Sequence, residues 1–465
     1  MAPKFGTSGL RGLVTELTDP LCAGYVRAFL RAVPHDGLLM IARDLRPSSA
    51  RIAATVADTA TELGLRVADC GAVPTPALAL AAIAAGAPSV MITGSHIPAD
   101  RNGLKFYSAS GEITKADEAA IVAGFAEAAP AAKARPKDAT AARATYAARY
   151  TLAYGAALEG LRIGAYQHSS VARDLLAEVL SALGAEVTPL GRSEVFVPVD
   201  TEAVSDGTRR MLAGWATGGA FDAIVSLDGD ADRPLLTDAA GRVIPGDVIG
   251  TLTAAALGAD TVVTPVSSNT LIEASGLFRA TERTRIGSPY VIAAMEARMA
   301  APDARVVGFE ANGGFLLGFG AAGPSGPLAP LMTRDAFLPI IATLATAAAK
   351  HLSLADLVAT LPARATASDR LEEVPTDWSQ AFVARLINDR RARAGFFAGR
   401  GESGTDLTDG LRVTFTDGAI LHLRPSGNAP ELRCYAETAD AASAAMLVRD
   451  TLARIADLRK REMTP

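Results

Sequence analysis

The stretch Leu63-Gly64-x-x-Val67-x-x-x-Gly71 returns 120 residues later as Leu183-Gly184-x-x-Val187-x-x-x-Gly191. In both copies a glycine follows a helix-like run, where its left-handed backbone lets the chain turn back into a strand. Each copy closes a longer phrase of apolar strand, polar turn, helix and second strand. The first phrase has a strand at 38–42, a helix near 50–63 and a strand at 65–69. The second has a strand at 161–166, a helix near 170–183 and a strand at 186–189. A third begins at 261–266, with a helix near Thr270 and a strand at 279–286. Any α/β protein repeats this local pattern. The return over 120 residues also fits three successive, similar α/β domains with mixed sheets.

The C-terminal text differs. From about Leu371 it becomes charged, with Asp389-Arg390-Arg391-Ala392-Arg393. Alternating strands then follow at 411–415 and 420–424, about a turn at Asp417-Gly418. A strand at 431–437 and a helix at 441–455 complete a small α+β domain. The expected domains are 1–145, 146–247, 248–368 and 369–465, around a central cleft. Segment 129–142 reads as a linker or exposed helix. Length alone, 465 residues, suggests about three domains. Four separate polar loops, each on its own strand, raise that to four.

Composition removes several function classes. Hydrophobic residues make up 49% and charged residues 20%, which excludes global disorder. Lys plus Arg total 45 against 50 Asp plus Glu, a net charge of −5 that argues against a nucleic-acid partner. Mean hydropathy is +0.22, but alanine supplies it. The run from Pro76 to Ile92 is broken by Gly86 and Pro88, and no stretch of about 20 apolar residues appears. Cys22, Cys70 and Cys434 show neither metal spacing nor a disulfide framework. The expectation is a cytoplasmic chain with no membrane partner.

The sharpest local signal is Asp228-Gly229-Asp230-Ala231-Asp232-Arg233, directly after the apolar strand 221–227. Carboxylates at every second position of an extended chain share one side, so three can meet one cation. Oxygen ligands alone suit Mg²⁺ or Mn²⁺. A phosphatase of the haloacid-dehalogenase type also places Asp-x-Asp after a strand.

The second signal is Thr93-Gly94-Ser95-His96-Ile97-Pro98, with a tight turn expected at Asn102-Gly103 before Lys105. Ser95 reads as a nucleophile, a phosphate carrier or a turn cap. The third is Glu310-Ala311-Asn312-Gly313-Gly314 after the strand 305–307, where Glu and Asn suit vicinal hydroxyls. The fourth is Arg424-Pro425-Ser426-Gly427-Asn428, an arginine fork beside an anion nest. The fifth is Lys4-Phe5-Gly6-Thr7-Ser8-Gly9-Leu10-Arg11-Gly12, where Arg11 sits among glycines. Taken singly, the last three could each be an ordinary turn.

In this order, Thr-Ser-Gly-Leu-Arg-Gly, Thr-Gly-Ser-His, Asp-Gly-Asp-Ala-Asp-Arg and Arg-Pro-Ser-Gly resemble the α-D-phosphohexomutases, the phosphomannomutase/phosphoglucomutase family. The resemblance runs over essentially the whole chain. It implies that Ser95 carries a phosphoryl group and that Asp228, Asp230 and Asp232 hold one Mg²⁺, with phospho-Ser95 as a further ligand. It implies that Arg424, Ser426, Gly427 and Asn428 hold the phosphate that is not transferred. Glu310, Asn312 and Ser288 would meet sugar hydroxyls. Arg11, Lys105 and Arg233 would neutralise the transferred group, with His96 on the same loop.

The implied reaction passes through a hexose 1,6-bisphosphate, with mannose phosphates as substrate and glucose phosphates also turned over. The implied partner is a small hexose phosphate, and the chain is a monomer or homodimer. The alternatives are a phosphoglucosamine mutase and a metal-dependent sugar phosphatase. Three loops depart from the family pattern. Ile97 stands where Asn is usual, Glu-Ala-Asn-Gly-Gly replaces Glu-x-Ser-Gly-His, and Ile286-Gly287-Ser288-Pro289-Tyr290 stands where Thr-Gly-His is frequent.

Overall fold

The computed structural model describes residues 3–6, 9–129, 133–426 and 430–463. They form two compact units, one of residues 1–262 and 287–358, the other of residues 263–286 and 359–465.

The first unit begins with a mixed sheet. Strand Leu38–Arg43 pairs in parallel with Arg66–Ala72 on one side and Ser89–Ile92 on the other. Helix Ser49–Glu62 explains why such strands stay buried. Its Ile52, Ala53, Val56, Ala57 and Ala60 recur at three- and four-residue spacing and form one apolar stripe. That stripe joins Leu39, Ile41, Val90 and Ile92 in a single core. Each large aliphatic side chain buried there is worth about 1.5–3 kcal/mol. Ser89–Ile92 then reverses into the antiparallel strand Arg101–Ser108, which also pairs with Leu10–Leu13.

This reversal corrects one expectation. Asn102 and Gly103 lie inside a strand, not in a turn. The Asn102 amide donates to Ser48 and Ser49 Oγ at 2.8 and 2.9 Å. A Cβ on Gly103 would strike the Leu10 carbonyl, so glycine allows the two strands to close.

The same device recurs twice. In the second sheet, Arg162–His168 pairs in parallel with Glu186–Arg192 and Ala223–Leu227, and Ala223–Leu227 reverses into antiparallel Pro234–Thr237. Farther on, Val306–Phe309 reverses into antiparallel Phe315–Leu317, which pairs with Leu331–Asp335. A short reversal at the carboxyl end of a strand therefore carries Ser95, then Asp228 to Arg233, then Glu310 and Asn312. That end of a strand is the usual ligand position in α/β folds. The antiparallel return strand makes each sheet mixed.

The second unit holds an antiparallel sheet in the order Ala365–Leu371, Leu432–Thr438, Ile420–Pro425, Leu411–Phe415, Glu402–Asp406. Helices Thr376–Asn388 and Ala441–Met463 pack on it. The closing helix runs past the expected end at 455. Strand Ala365–Leu371 escaped the sequence reading because its alternation rests on two alanines and Leu371 and is interrupted by Asp369. Segment 129–142 contributes a short strand, Lys137–Asp138, parallel to Arg66–Ala72, and the first turn of helix Ala141–Tyr154. Among the described residues no helix is long and apolar enough to cross a membrane.

His168 ends strand Arg162–His168 of the second sheet, and its Nε2 pairs with the carbonyl of Leu227 at 2.8 Å. Burial pushes its pKa down to about 4, against the raising effect of that hydrogen bond. The unfolded chain therefore binds the extra proton between pH 6.5 and 4. Stability from this group is complete above about pH 6.5 and is lost as pH falls towards 4. Urea unfolding at pH 7 and pH 5 should show a loss of roughly 2 kcal/mol from His168. The variant His168→Gln, which keeps an N–H donor, should flatten that part of the slope; an unchanged slope would contradict the assignment.

Candidate active site

Asp228 to Arg233 form a tight turn. Asp228 N donates to the Arg233 carbonyl at 3.1 Å, Ala231 N to the Asp228 carbonyl at 3.3 Å, and Ala231 sits at φ +59°. The three carboxylates thus converge because the loop curls, not because an extended chain alternates. All three are fully buried, and one ligand oxygen of each lies within 4.8 Å of the others.

Protein donors sort the oxygens. Asp228 Oδ1 accepts from the backbone N–H of Asp232 and Arg233 at 3.1 and 3.3 Å. Asp230 Oδ2 accepts from Thr75 Oγ1 at 2.5 Å and Lys105 Nζ at 2.6 Å. Asp232 Oδ2 accepts from Lys105 Nζ at 2.7 Å and from Arg334 at 2.9 and 3.1 Å. Asp230 Oδ1 and Asp232 Oδ1 are buried and accept no hydrogen bond. Buried carboxylate oxygens without a donor are costly unless a cation takes them. Asp230 and Asp232 thus each keep one committed and one open oxygen, which fits one-oxygen ligation of a hard divalent cation, while Asp228 Oδ2 accepts from Ser95 Oγ.

The surrounding charges act unequally. Burial, and then repulsion from Asp230 and Asp232, pushes Asp228 well above the usual carboxylate range. Burial would also raise Asp232, but Arg334, Lys105 and Arg233 outweigh it and hold that carboxyl well below the usual range.

Ser95 faces this cluster. Its Oγ donates to Asp228 Oδ2 at 2.6 Å. The residue occupies the left-handed region at φ +54°, a conformation that costs about 1–3 kcal/mol and needs support. Arg46 supplies much of it. Its buried guanidinium donates to the carbonyls of Ser95, Ile97, Pro98 and Arg101 at 2.6–3.0 Å and to Asp44 at 3.1 Å. Thr93 Oγ1 bridges Asp44 to the Ser95 N–H. Gly229 lets the two loops touch, since a Cβ there would lie 2.6 Å from the Ser95 carbonyl.

His96 Nδ1 lies 2.8 Å from Arg233 Nη1 and 3.4 Å from Ser95 Oγ. Burial first, then Arg233, pushes the His96 pKa well below its ordinary value, so Nδ1 accepts from the arginine. Lys105 is committed to Asp230 and Asp232. Burial and the neighbouring Arg233 push the Arg11 pKa down to about 10.

On the third sheet, Asn312 Oδ1 accepts from Gly314 N at 3.0 Å, and Glu310 Oε2 lies 3.4 Å from Arg334 Nη1. Ser288 Oγ donates to Glu112 Oε2 at 2.6 Å. In the second unit, Arg424 is the penultimate residue of strand Ile420–Pro425, where its Nε meets Asp409 Oδ2 at 2.8 Å. Ser426 N donates to the Glu431 carbonyl at 2.9 Å. Gly427 and Asn428 lie outside the described residues.

Four participants were missed in the sequence: Arg46, Thr75, Glu112 and Arg334. Asp44-Leu45-Arg46 carried a usable signal, because it directly follows the strand Leu38–Arg43 as the other loops follow theirs.

Comparison with known proteins accords with this arrangement. Residues 2–131 match the model described as phosphoglucomutase/phosphomannomutase, alpha/beta/alpha domain I, 245–365 match domain III, and 366–454 match the C-terminal domain. The chain belongs to the phosphoglucomutase/phosphomannomutase family. It is 50% identical to a phosphomannomutase of Sinorhizobium fredii over 97% of this chain and 98% of that one. It is 44% identical to a phosphomannomutase of Salmonella muenchen, covering 97% and 95%. A phosphoglucosamine mutase of Frankia alni is 29% identical over 98% of each chain. The crystal structure of a Burkholderia thailandensis protein of the same family superposes with a TM-score of 0.75 at 20% identity, covering 96% of both chains.

Replacing Arg46 by Met would strand the buried Asp44 carboxylate and release four carbonyls. The expected loss of stability is about 3–5 kcal/mol. Amide exchange at 94–101 should accelerate more than elsewhere in the same sheet. Uniform acceleration throughout the unit would refute a role confined to the serine loop.

Proposed function

We propose that this chain is a phosphomannomutase that interconverts mannose 6-phosphate and mannose 1-phosphate and also turns over glucose phosphates. The observation that carries the reading is Ser95 Oγ, held 2.6 Å from Asp228 beside two donor-free buried carboxylate oxygens. Identity of 50% to a phosphomannomutase over nearly the whole chain supports the choice of sugar. In this reading the four expected domains each contribute one loop to the reaction. The chain works in the cytoplasm on a small hexose phosphate, as a monomer or homodimer.

Phosphoryl transfer depends on alignment and charge neutralisation. Ser95 carries the phosphoryl group, and its left-handed backbone, fixed by Arg46, aims Oγ at the carboxylate loop. The O6 hydroxyl of mannose 1-phosphate attacks the phosphorus; as the new O–P bond forms the bond to Ser95 Oγ breaks, and the hydroxyl proton passes in net to Ser95 Oγ. The 1,6-bisphosphate turns around and returns its 1-phosphoryl group to Ser95, which releases mannose 6-phosphate. Asp228, Asp230 and Asp232 hold one Mg²⁺, which when bound supplies charge neutralisation at the phosphoryl oxygens. Arg11 meets the transferred phosphoryl group. Arg233 is oriented for it by His96, and Lys105 acts by fixing Asp230 and Asp232. Glu310, Asn312 and Ser288 meet the sugar. Arg424, Ser426, Gly427 and Asn428 clamp the other phosphate.

Phosphoglucosamine mutase is the second reading, favoured by the loop Ile286-Gly287-Ser288-Pro289-Tyr290. A panel of mannose, glucose, glucosamine and N-acetylglucosamine phosphates decides between them. The highest kcat/KM is expected for mannose phosphates, and a glucosamine preference would overturn the first reading. Activity should require Mg²⁺, vanish with chelator and be primed by a hexose 1,6-bisphosphate. Ser95→Ala should nearly abolish it and remove the phosphoserine seen by intact mass. Full activity in that variant, or release of free phosphate without isomerisation, would sink the mechanism.

A further inference from the structure

Arg334 is the penultimate residue of the strand Leu331–Asp335 and is almost wholly buried. Nothing in its local sequence marks it, yet it touches three partners of different kinds. Its Nη2 and Nε meet Asp232 Oδ2 at 2.9 and 3.1 Å. Its Nη1 reaches Glu310 Oε2 at 3.4 Å and Ser288 Oγ at 3.3 Å. Ser288 in turn donates to Glu112. One planar guanidinium therefore spans the carboxylate turn of the second sheet and the proposed sugar loop after Val306–Phe309.

Each contact has a definite consequence. Two donors on Asp232 Oδ2 commit that oxygen and leave Oδ1 as the one open to a cation. The contact with Glu310 holds one carboxylate oxygen of a buried side chain. An ammonium cannot make both contacts with defined angles, because lysine presents a point charge where arginine presents a fork. Burial would lower the Arg334 pKa, but Asp232, Glu112 and Glu310 outweigh it and hold it well above its ordinary value.

The geometry points to Arg334 as a positioning residue that couples cation ligation at Asp232 to sugar recognition at Glu310. Movement of Glu310 towards a hydroxyl shifts the shared guanidinium and so the orientation of Asp232. Cation binding orders Glu310 by the same route. This inference rests on the proposed sugar role of Glu310, while its coupling to the cation is measurable without sugar.

The test is a double-mutant cycle on Mn²⁺ binding to the full chain, read by electron paramagnetic resonance of free Mn²⁺ with no sugar phosphate present. Arg334→Met should weaken Mn²⁺ about 10- to 100-fold, the range for groups that orient metal ligands. Glu310→Gln, which places no atom on the cation, should change Mn²⁺ affinity in the parent chain and leave it unchanged in the Arg334→Met background. Arg334→Lys should restore most of the affinity without restoring the response to Glu310→Gln. It also serves if the Met variant does not fold.

Equal effects of Glu310→Gln in both backgrounds, or no effect in the parent, would overturn the coupling. So would Mn²⁺ affinity in Arg334→Met within twofold of the parent. If the coupling holds while no hexose phosphate is isomerised, the proposed activity fails and the role of Arg334 stands.

Discussion

Three carboxylates buried in one six-residue turn set the terms for the first unit. Like charges within 4.8 Å repel by about 3 kcal/mol or more per pair, even at an effective dielectric constant of 20. Burial adds a desolvation cost for each. The local sequence offers only backbone N–H groups and Arg233 in return. The remaining compensation comes from far away in the chain: Thr75 at the start of a helix, Lys105 inside the return strand of the first sheet, and Arg334 on a strand of the third. The carboxylate turn, a candidate cation site, is therefore also a junction, because it cannot stay buried unless all three elements are docked. Removing any one donor exposes an uncompensated charge, and the effect should spread beyond the site.

The serine loop shows the same economy. Ser95 is held in an unfavourable backbone region, and the restraint comes from one arginine that meets four carbonyls of a short loop. Arg46 also stacks over Phe196 at 3.9 Å, which closes off solvent behind the loop.

How much was legible in the sequence follows from this division of labour. The turn 228–233, the serine loop and the strands that carry them are local, with their chemistry and their apolar strands side by side. Their positions at the strand ends were therefore readable. The geometric reason given for the carboxylates was not, because a left-handed Ala231 is invisible to a pattern that assumes extended chain. Arg334 and Arg46 were unreadable for a different reason. A lone arginine in or after a strand looks like a solvated residue, and only the fold reveals which distant acid it meets. Asn102-Gly103 misled in the opposite sense: its composition signals a turn, while packing of three strands demanded a residue without a Cβ at that point.

The fate of the cations sharpens the functional reading. Lys105 and Arg334 are spent on the carboxylates, and Arg233 on His96 and Asp232. Arg11 differs, since its guanidinium donates to none of the described residues while burial and Arg233 still depress its pKa to about 10. It remains charged at neutral pH. Asp230 and Asp232 only partly offset that depression, so an arriving anion would further favour its charged form. In the proposed mechanism a phosphoryl group on Ser95 or on an incoming sugar would be that anion, met by the planar fork of the guanidinium. In that proposed mechanism an acidic chain can serve a dianionic substrate, because within the site the acids are matched by Lys105, Arg233 and Arg334, and Arg11 is left to meet the phosphate.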